Sequence, residues 1–66
     1  MPRLVTTPNI HDADGFYAEL LAVHEGLSAE ASVALNARLI LLLANHIGDR
    51  ALLSEALQEA ARGASG

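Results

Sequence analysis

The sequence contains no cysteine, no tryptophan and no lysine, and its 66 residues include only one phenylalanine and one tyrosine. The absence of cysteine excludes disulfides and thiolate metal sites, and it fits a reducing compartment. Two aromatic rings are too few to line a cofactor pocket. We therefore assign Phe16 to the core and Tyr17 to the surface or to a partner contact, and we expect no bound cofactor.

Positive charge is scarce. The four arginines are scattered along the chain, and eight acidic residues leave a net charge of −4. This charge disfavours nucleic acid and anionic lipid as partners. The start of the chain lacks the apolar core of a signal peptide, and the unbroken apolar run at residues 39–44 is far shorter than the ~20 residues of a membrane span. The sequence therefore predicts a soluble, cytoplasmic protein.

Motifs that carry chemistry are also missing. The chain has no glycine-rich phosphate loop, no serine in a nucleophile elbow and no paired carboxylates placed for acid-base catalysis. A domain of this size buries only about 60% of the surface that its unfolded chain exposes, so its own core is marginal. Oligomerisation or docking on a partner is then the expected source of stability. We expect a single domain that is not an enzyme.

The longest predicted helix spans residues 28–47, and the rest of the chain is arranged around it. Ser28 is a favourable N-cap, and Gly48 can take the left-handed conformation that ends a helix. At about 100° per residue, the helix has two apolar sides. The broader side collects Leu35, Leu39, Ile40, Leu42 and Leu43, with Val33 and Ile47 at its edge.

The second apolar side follows small residues at spacings of three, four and three, which is the spacing of a packed helix seam. A surface helix needs only one apolar stripe, so the second one predicts a contact with a partner. The predicted partner interface consists of Ala34, Ala37, Arg38, Leu41, Ala44 and Asn45.

The polar residues of this helix have two interpretations. Asn36, Arg38 and Asn45 are either exposed polar positions or polar contacts that fix the register of a helix-helix pair. In the second case Arg38 would pair with a glutamate such as Glu19 or Glu30.

Two shorter helices flank the central one. The first opens at Asp12 or Asp14 and runs to Glu25, with Gly26 as its stop; the third is capped by Asp49 and runs to about Arg62, where Gly63 ends it. Their predicted inner stripes are Phe16, Leu20, Val23 and Leu27 in the first helix, and Leu53, Ala56, Leu57 and Ala60 in the third.

These elements predict an all-α fold, either a small three-helix bundle or a helical hairpin with a third helix laid across it. Residues 1–10 contain two prolines and form a predicted extended N-terminal arm. Residues 11–63 form the single helical domain, and residues 64–66 a frayed tail.

A ligand site is the alternative use of the polar residues at the helix ends. His24, His46 and Asp49 are its candidate groups, because an imidazole near a carboxylate can act as a base or bind a metal. No two histidines stand at the i, i+4 spacing that would place both on one helical face. Helix capping explains each of these residue types, so we prefer the structural interpretation and expect no metal.

Four short motifs recur in a known family: Thr7-Pro8-Asn9, Asp14-Gly15-Phe16-Tyr17, Gly26-Leu27-Ser28 and Ala44-Asn45-His46-Ile47-Gly48-Asp49. The chain resembles the short proteobacterial proteins catalogued as domain of unknown function 2783, and the resemblance covers nearly its whole length. It implies no catalytic residues. It also implies an association with flavin-dependent aromatic hydroxylases.

Together these observations predict a non-catalytic helical interaction module. It would self-associate or serve as an accessory subunit of a larger metabolic enzyme, such as a flavin-dependent aromatic hydroxylase. The alternative function is a small-molecule or metal-binding protein that uses the region of His46 and Asp49.

Overall fold

A computed structural model describes residues 3–64, which contain three helices and no strand. They are α1 (Ala13–His24), α2 (Ala29–Ile47) and α3 (Arg50–Ala64). The predicted all-α class is therefore confirmed. None of the three helices is both long enough and apolar enough to cross a membrane.

The N-terminus of α1 depends on two residues that fit each other. Asp12, and not Asp14, is the N-cap, and its Oδ1 accepts a hydrogen bond from the backbone N–H of Gly15 at 3.1 Å. Asp12 lies in the left-handed region at φ 57°, which Asp tolerates better than most residues. A Cβ on Gly15 would lie 2.2 Å from Oδ2 of Asp12, so the glycine leaves room for the capping carboxylate.

The other end of α1 and both ends of α2 follow local capping rules. α1 ends at His24, one residue before the predicted end, and Gly26 takes φ 79°. Ser28 Oγ accepts a hydrogen bond from the N–H of Ala31 at 3.1 Å. Gly48 ends α2 at φ 68°, with its N–H bonded to the carbonyl of Ala44 at 2.9 Å. α2 thus begins one residue after the predicted start, with Ser28 as its N-cap, and ends at Ile47 as predicted.

α3 begins as predicted and ends later. The N–H of Leu52 donates to Oδ1 of Asp49 at 3.0 Å, which makes Asp49 the cap. The helix continues through Gly63 to Ala64, so the prediction that Gly63 ends it was wrong. A glycine inside a helix costs only about 1 kcal/mol relative to alanine, which is too little to end a helix by itself.

The three helices do not close around a core. No residue between 3 and 64 is fully buried. The Cα radius of gyration is 13.6 Å, whereas a compact domain of this length has one of about 11 Å. The three helices of residues 3–64 therefore form an open arrangement and not a closed bundle.

The predicted inner stripes are only partly covered. Leu20 of α1 and Leu53 of α3 are half-buried, but Phe16, which we assigned to the core, is 46% exposed. Leu57, predicted to face inward, is 67% exposed. The reason is that no other helix among residues 3–64 packs on the second half of α3.

The arm lies outside the helices. Residues 3–10 contain neither helix nor strand, and only Leu4 among them is partly covered. Met1 and Pro2 of the predicted arm, and Ser65 and Gly66 of the predicted tail, are outside the described residues. Ala64, predicted as tail, is instead the last residue of α3.

Candidate functional site

One side of α2 exposes large apolar side chains at the centre of the longest helix. Ile40 is 62% and Leu41 is 70% exposed, although both lie in the middle of the helix. Large apolar side chains in such positions are normally covered, and contiguous exposed ones mark interaction surfaces. We call this side the α2 apolar face; it consists of Val33, Ala34, Ala37, Ile40, Leu41, Ala44 and Ile47.

The α2 apolar face contains a regular alternation that the sequence analysis missed. Val33, Ala37, Ile40, Ala44 and Ile47 follow one another at spacings of four, three, four and three, with large and small side chains in turn. Ile40 had been placed on the broader apolar side, with Val33 and Ile47 at its edge. The heptad spacing itself was the signal that could have found this line. This line lies about 80° around α2 from the midpoint of Ser32 and Asn36, the two residues that bond to His24 of α1, so it borders the α1 contact and is not covered by it.

The predicted partner-interface residues occupy this face and its border. Ala34, Ala37 and Leu41 are exposed, Ala44 is partly covered by its own chain, and both Arg38 and Asn45 are exposed at the border. Arg38 forms no ion pair with Glu19, Glu30 or any other described residue, so the predicted pairing was wrong within this chain. The guanidinium is therefore available to a group outside the chain.

The broader apolar side of α2 is only partly buried. Leu35 and Leu39 are half-buried, in keeping with a position against α1, but Leu42 is 69% exposed. α2 thus presents apolar surface over more of its circumference than one short neighbour can cover.

His24 joins α1 to α2. Its Nδ1 lies 2.9 Å from Ser32 Oγ, and its Nε2 lies 3.1 Å from Asn36 Oδ1. An amide oxygen carries no hydrogen, so Nε2 donates to Asn36. The Ser32 hydroxyl then donates to Nδ1 of a neutral imidazole, or accepts from a protonated one. Asn36 is therefore a polar contact between helices, as one of the two interpretations held.

The structure places His24 far from His46, the other candidate histidine. His24 contacts Ser32 and Asn36, whereas His46 lies in the last turn of α2, about 15–21 Å further along the helix axis at 1.5 Å per residue. Asp49 uses Oδ1 to cap α3. Within residues 3–64 no three His, Asp or Glu side chains are grouped closely enough to hold a metal ion.

Two shallow grooves lie elsewhere on the surface. One is lined by Glu55, Gln58, Glu59 and Arg62 of α3, where Arg62 bonds to Glu59. The other is lined by residues 5–10 of the arm and by Ala13. Neither places a nucleophile beside a base, so neither has the geometry of a catalytic site.

The fold and its surface define a small all-α protein with an open arrangement and an uncovered apolar helix face. The chain belongs to the family described as "Protein of unknown function (DUF2783)", whose model matches residues 4–62. The predicted family is thereby confirmed. No curated protein and no solved structure matches the chain.

Proposed function

We propose that this protein is a non-catalytic helical interaction module that binds a protein partner through the α2 apolar face. The observation that supports the proposal is the exposure of Ile40 and Leu41 at the centre of the longest helix. Covering a leucine or isoleucine side chain is worth about 1.5–3 kcal/mol, so a few such residues supply a large part of a binding free energy.

The border of the face supports the same proposal. Protein interfaces commonly place apolar residues at the centre and polar, solvent-accessible residues around them. Arg38 and Asn45 lie beside the α2 apolar face, and both are exposed. Arginine is among the residues enriched at interfaces, because its planar group forms several directed hydrogen bonds at once.

Two candidate partners fit the proposal: a second copy of the chain, or a larger enzyme such as a flavin-dependent aromatic hydroxylase. Both would use the same face. The proposal is tested by measuring the native size of the protein in a lysate of its own cells. We expect it to migrate as a complex well above the 6.9 kDa of one chain.

The test variant is Leu41→Glu, because it places a charge on the α2 apolar face, midway along the helix. We expect Leu41→Glu to migrate at the size of one chain. Leu42→Glu is the control, since Leu42 is as exposed as Leu41 (69% and 70%) but lies about 100° away around the helix. Wild-type protein that migrates as a single chain in the lysate would refute the proposal.

A further inference from the structure

We infer that the partner is a second copy of this chain, with the two α2 helices packed antiparallel through the α2 apolar face. This inference rests on the proposed function and adds the identity and orientation of the partner. Three features of the molecule support it: the area left uncovered, the alternation of side-chain sizes and the position of Glu30.

The uncovered area has the size that a stable dimer buries. The chain exposes 5880 Å². A compact monomer of its 6.9 kDa exposes about 4,000 Å², so this chain has an excess of about 1,900 Å². Obligate homodimers bury about 2,000–5,000 Å² in total, or about 1,000–2,500 Å² from each chain. This excess, summed over the whole chain, lies within the range that each chain of such a dimer buries, so one identical partner has enough surface to cover it.

The alternation of side-chain sizes selects the antiparallel orientation. In a parallel pair in register, Ile40 would meet the partner's Ile40, and Ala37 the partner's Ala37. Crowded layers would then alternate with gaps, which close-packed interiors avoid. In an antiparallel pair centred between Ala37 and Ile40, Val33 meets the partner's Ala44, and Ala37 meets the partner's Ile40. The layers formed by residues 33, 37, 40 and 44 then each join one large and one small side chain, and Ile47 at the end of the line lies opposite the partner's Glu30.

The charge at the N-terminal end of α2 favours the same orientation. Glu30 lies in the first turn, close to the α2 apolar face. A parallel pair would place the two Glu30 carboxylates side by side and align the two helix dipoles. The antiparallel pair separates the carboxylates by most of the length of α2 and opposes the dipoles.

The first experiment measures the mass of the purified full-length protein by sedimentation equilibrium. We expect a mass twice the 6.9 kDa of one chain. Ile40→Glu should sediment as a monomer, because it places a charge opposite the partner's Ala37. Leu42→Glu is the control and should remain a dimer, since Leu42 lies about 160° from Ile40 around α2.

The second experiment fixes the orientation and does not depend on the folding of a charged variant. The chain has no cysteine, so single introduced thiols form unambiguous crosslinks. A mixture of Val33→Cys and Ala44→Cys should give a mixed disulfide dimer on mild oxidation, whereas Val33→Cys alone should give little. Positions 33 and 44 lie about 16 Å apart along one helix, too far for a disulfide within a chain.

The outcomes separate this inference from the proposed function. A purified monomer together with a larger complex in the lysate would contradict the homodimer but would still agree with the proposed interaction module. A monomer in both would overturn both proposals. A dimer in which Val33→Cys crosslinks to itself, and not to Ala44→Cys, would overturn the antiparallel orientation.

Discussion

At the scale of single residues, Asp12 combines a side-chain cap with a left-handed backbone at φ 57°. Asp12→Ala should lower the free energy of unfolding by about 1–2 kcal/mol, because alanine loses the cap and fits this backbone poorly. Asp12→Asn should keep both features and change little. Asp12→Gly should cost only a few tenths of a kcal/mol, since glycine takes this φ without strain. Thermal unfolding, followed by circular dichroism at one protein concentration, ranks the stabilities of the three variants.

The contact between Gly15 and the Asp12 carboxylate supplies the control for that prediction. In the wild type, Gly15→Ala should raise the free energy of unfolding only a little, because the new Cβ displaces the capping carboxylate. In the Asp12→Gly background the same change should stabilise the protein by up to about 1 kcal/mol through helix propensity alone. Equal effects in both backgrounds would show that the cap contributes nothing.

The His24 link is a second residue-scale feature whose contribution can be measured. His24→Ala removes two hydrogen bonds between α1 and α2, at 2.9 and 3.1 Å, and should cost about 1–3 kcal/mol. In a double-mutant cycle, His24→Ala and Asn36→Ala should show a coupling of about 0.5–1.5 kcal/mol. His24→Ala paired with Gln58→Ala on α3 is the control and should be additive.

At the scale of helices, two glycines should respond to alanine in opposite directions. Gly48→Ala should destabilise the protein by about 1 kcal/mol, because Gly48 ends α2 at φ 68°. Gly63→Ala should stabilise it by up to about 1 kcal/mol, since Gly63 lies inside α3 with open space around its Cα. Urea unfolding of both variants measures the difference. A stabilising Gly48→Ala would contradict the left-handed assignment.

The same two glycines show what the sequence could and could not predict. Capping at Ser28, Gly48 and Asp49 is governed by residues three or four positions apart, so the bounds of α2 and the start of α3 were predictable. Gly63 has the same residue type as Gly48, but its backbone stays helical. A glycine permits a helix to end and does not require it.

Burial was harder to predict than helix position, for a physical reason. Helical periodicity states which residues share a side, but not whether a neighbour lies against that side. Leu53 and Leu57 belong to one predicted stripe, yet Leu53 is half-buried and Leu57 is exposed. For the same reason Ile40 was grouped with Leu39, although only Leu39 is partly covered. The separation of His24 from His46 could not be predicted for the same reason, because it depends on which turns of α2 meet α1.

At the scale of the whole molecule, an open chain should draw much of its stability from association. If the second copy covers the α2 apolar face, the melting temperature should rise with protein concentration, by on the order of 10 °C over about a hundredfold range. Ile40→Glu should melt lower and independently of concentration, whereas Leu42→Glu should keep the dependence. A wild-type melting temperature that stays constant over this range would mean that the chain is stable alone despite its exposed leucines.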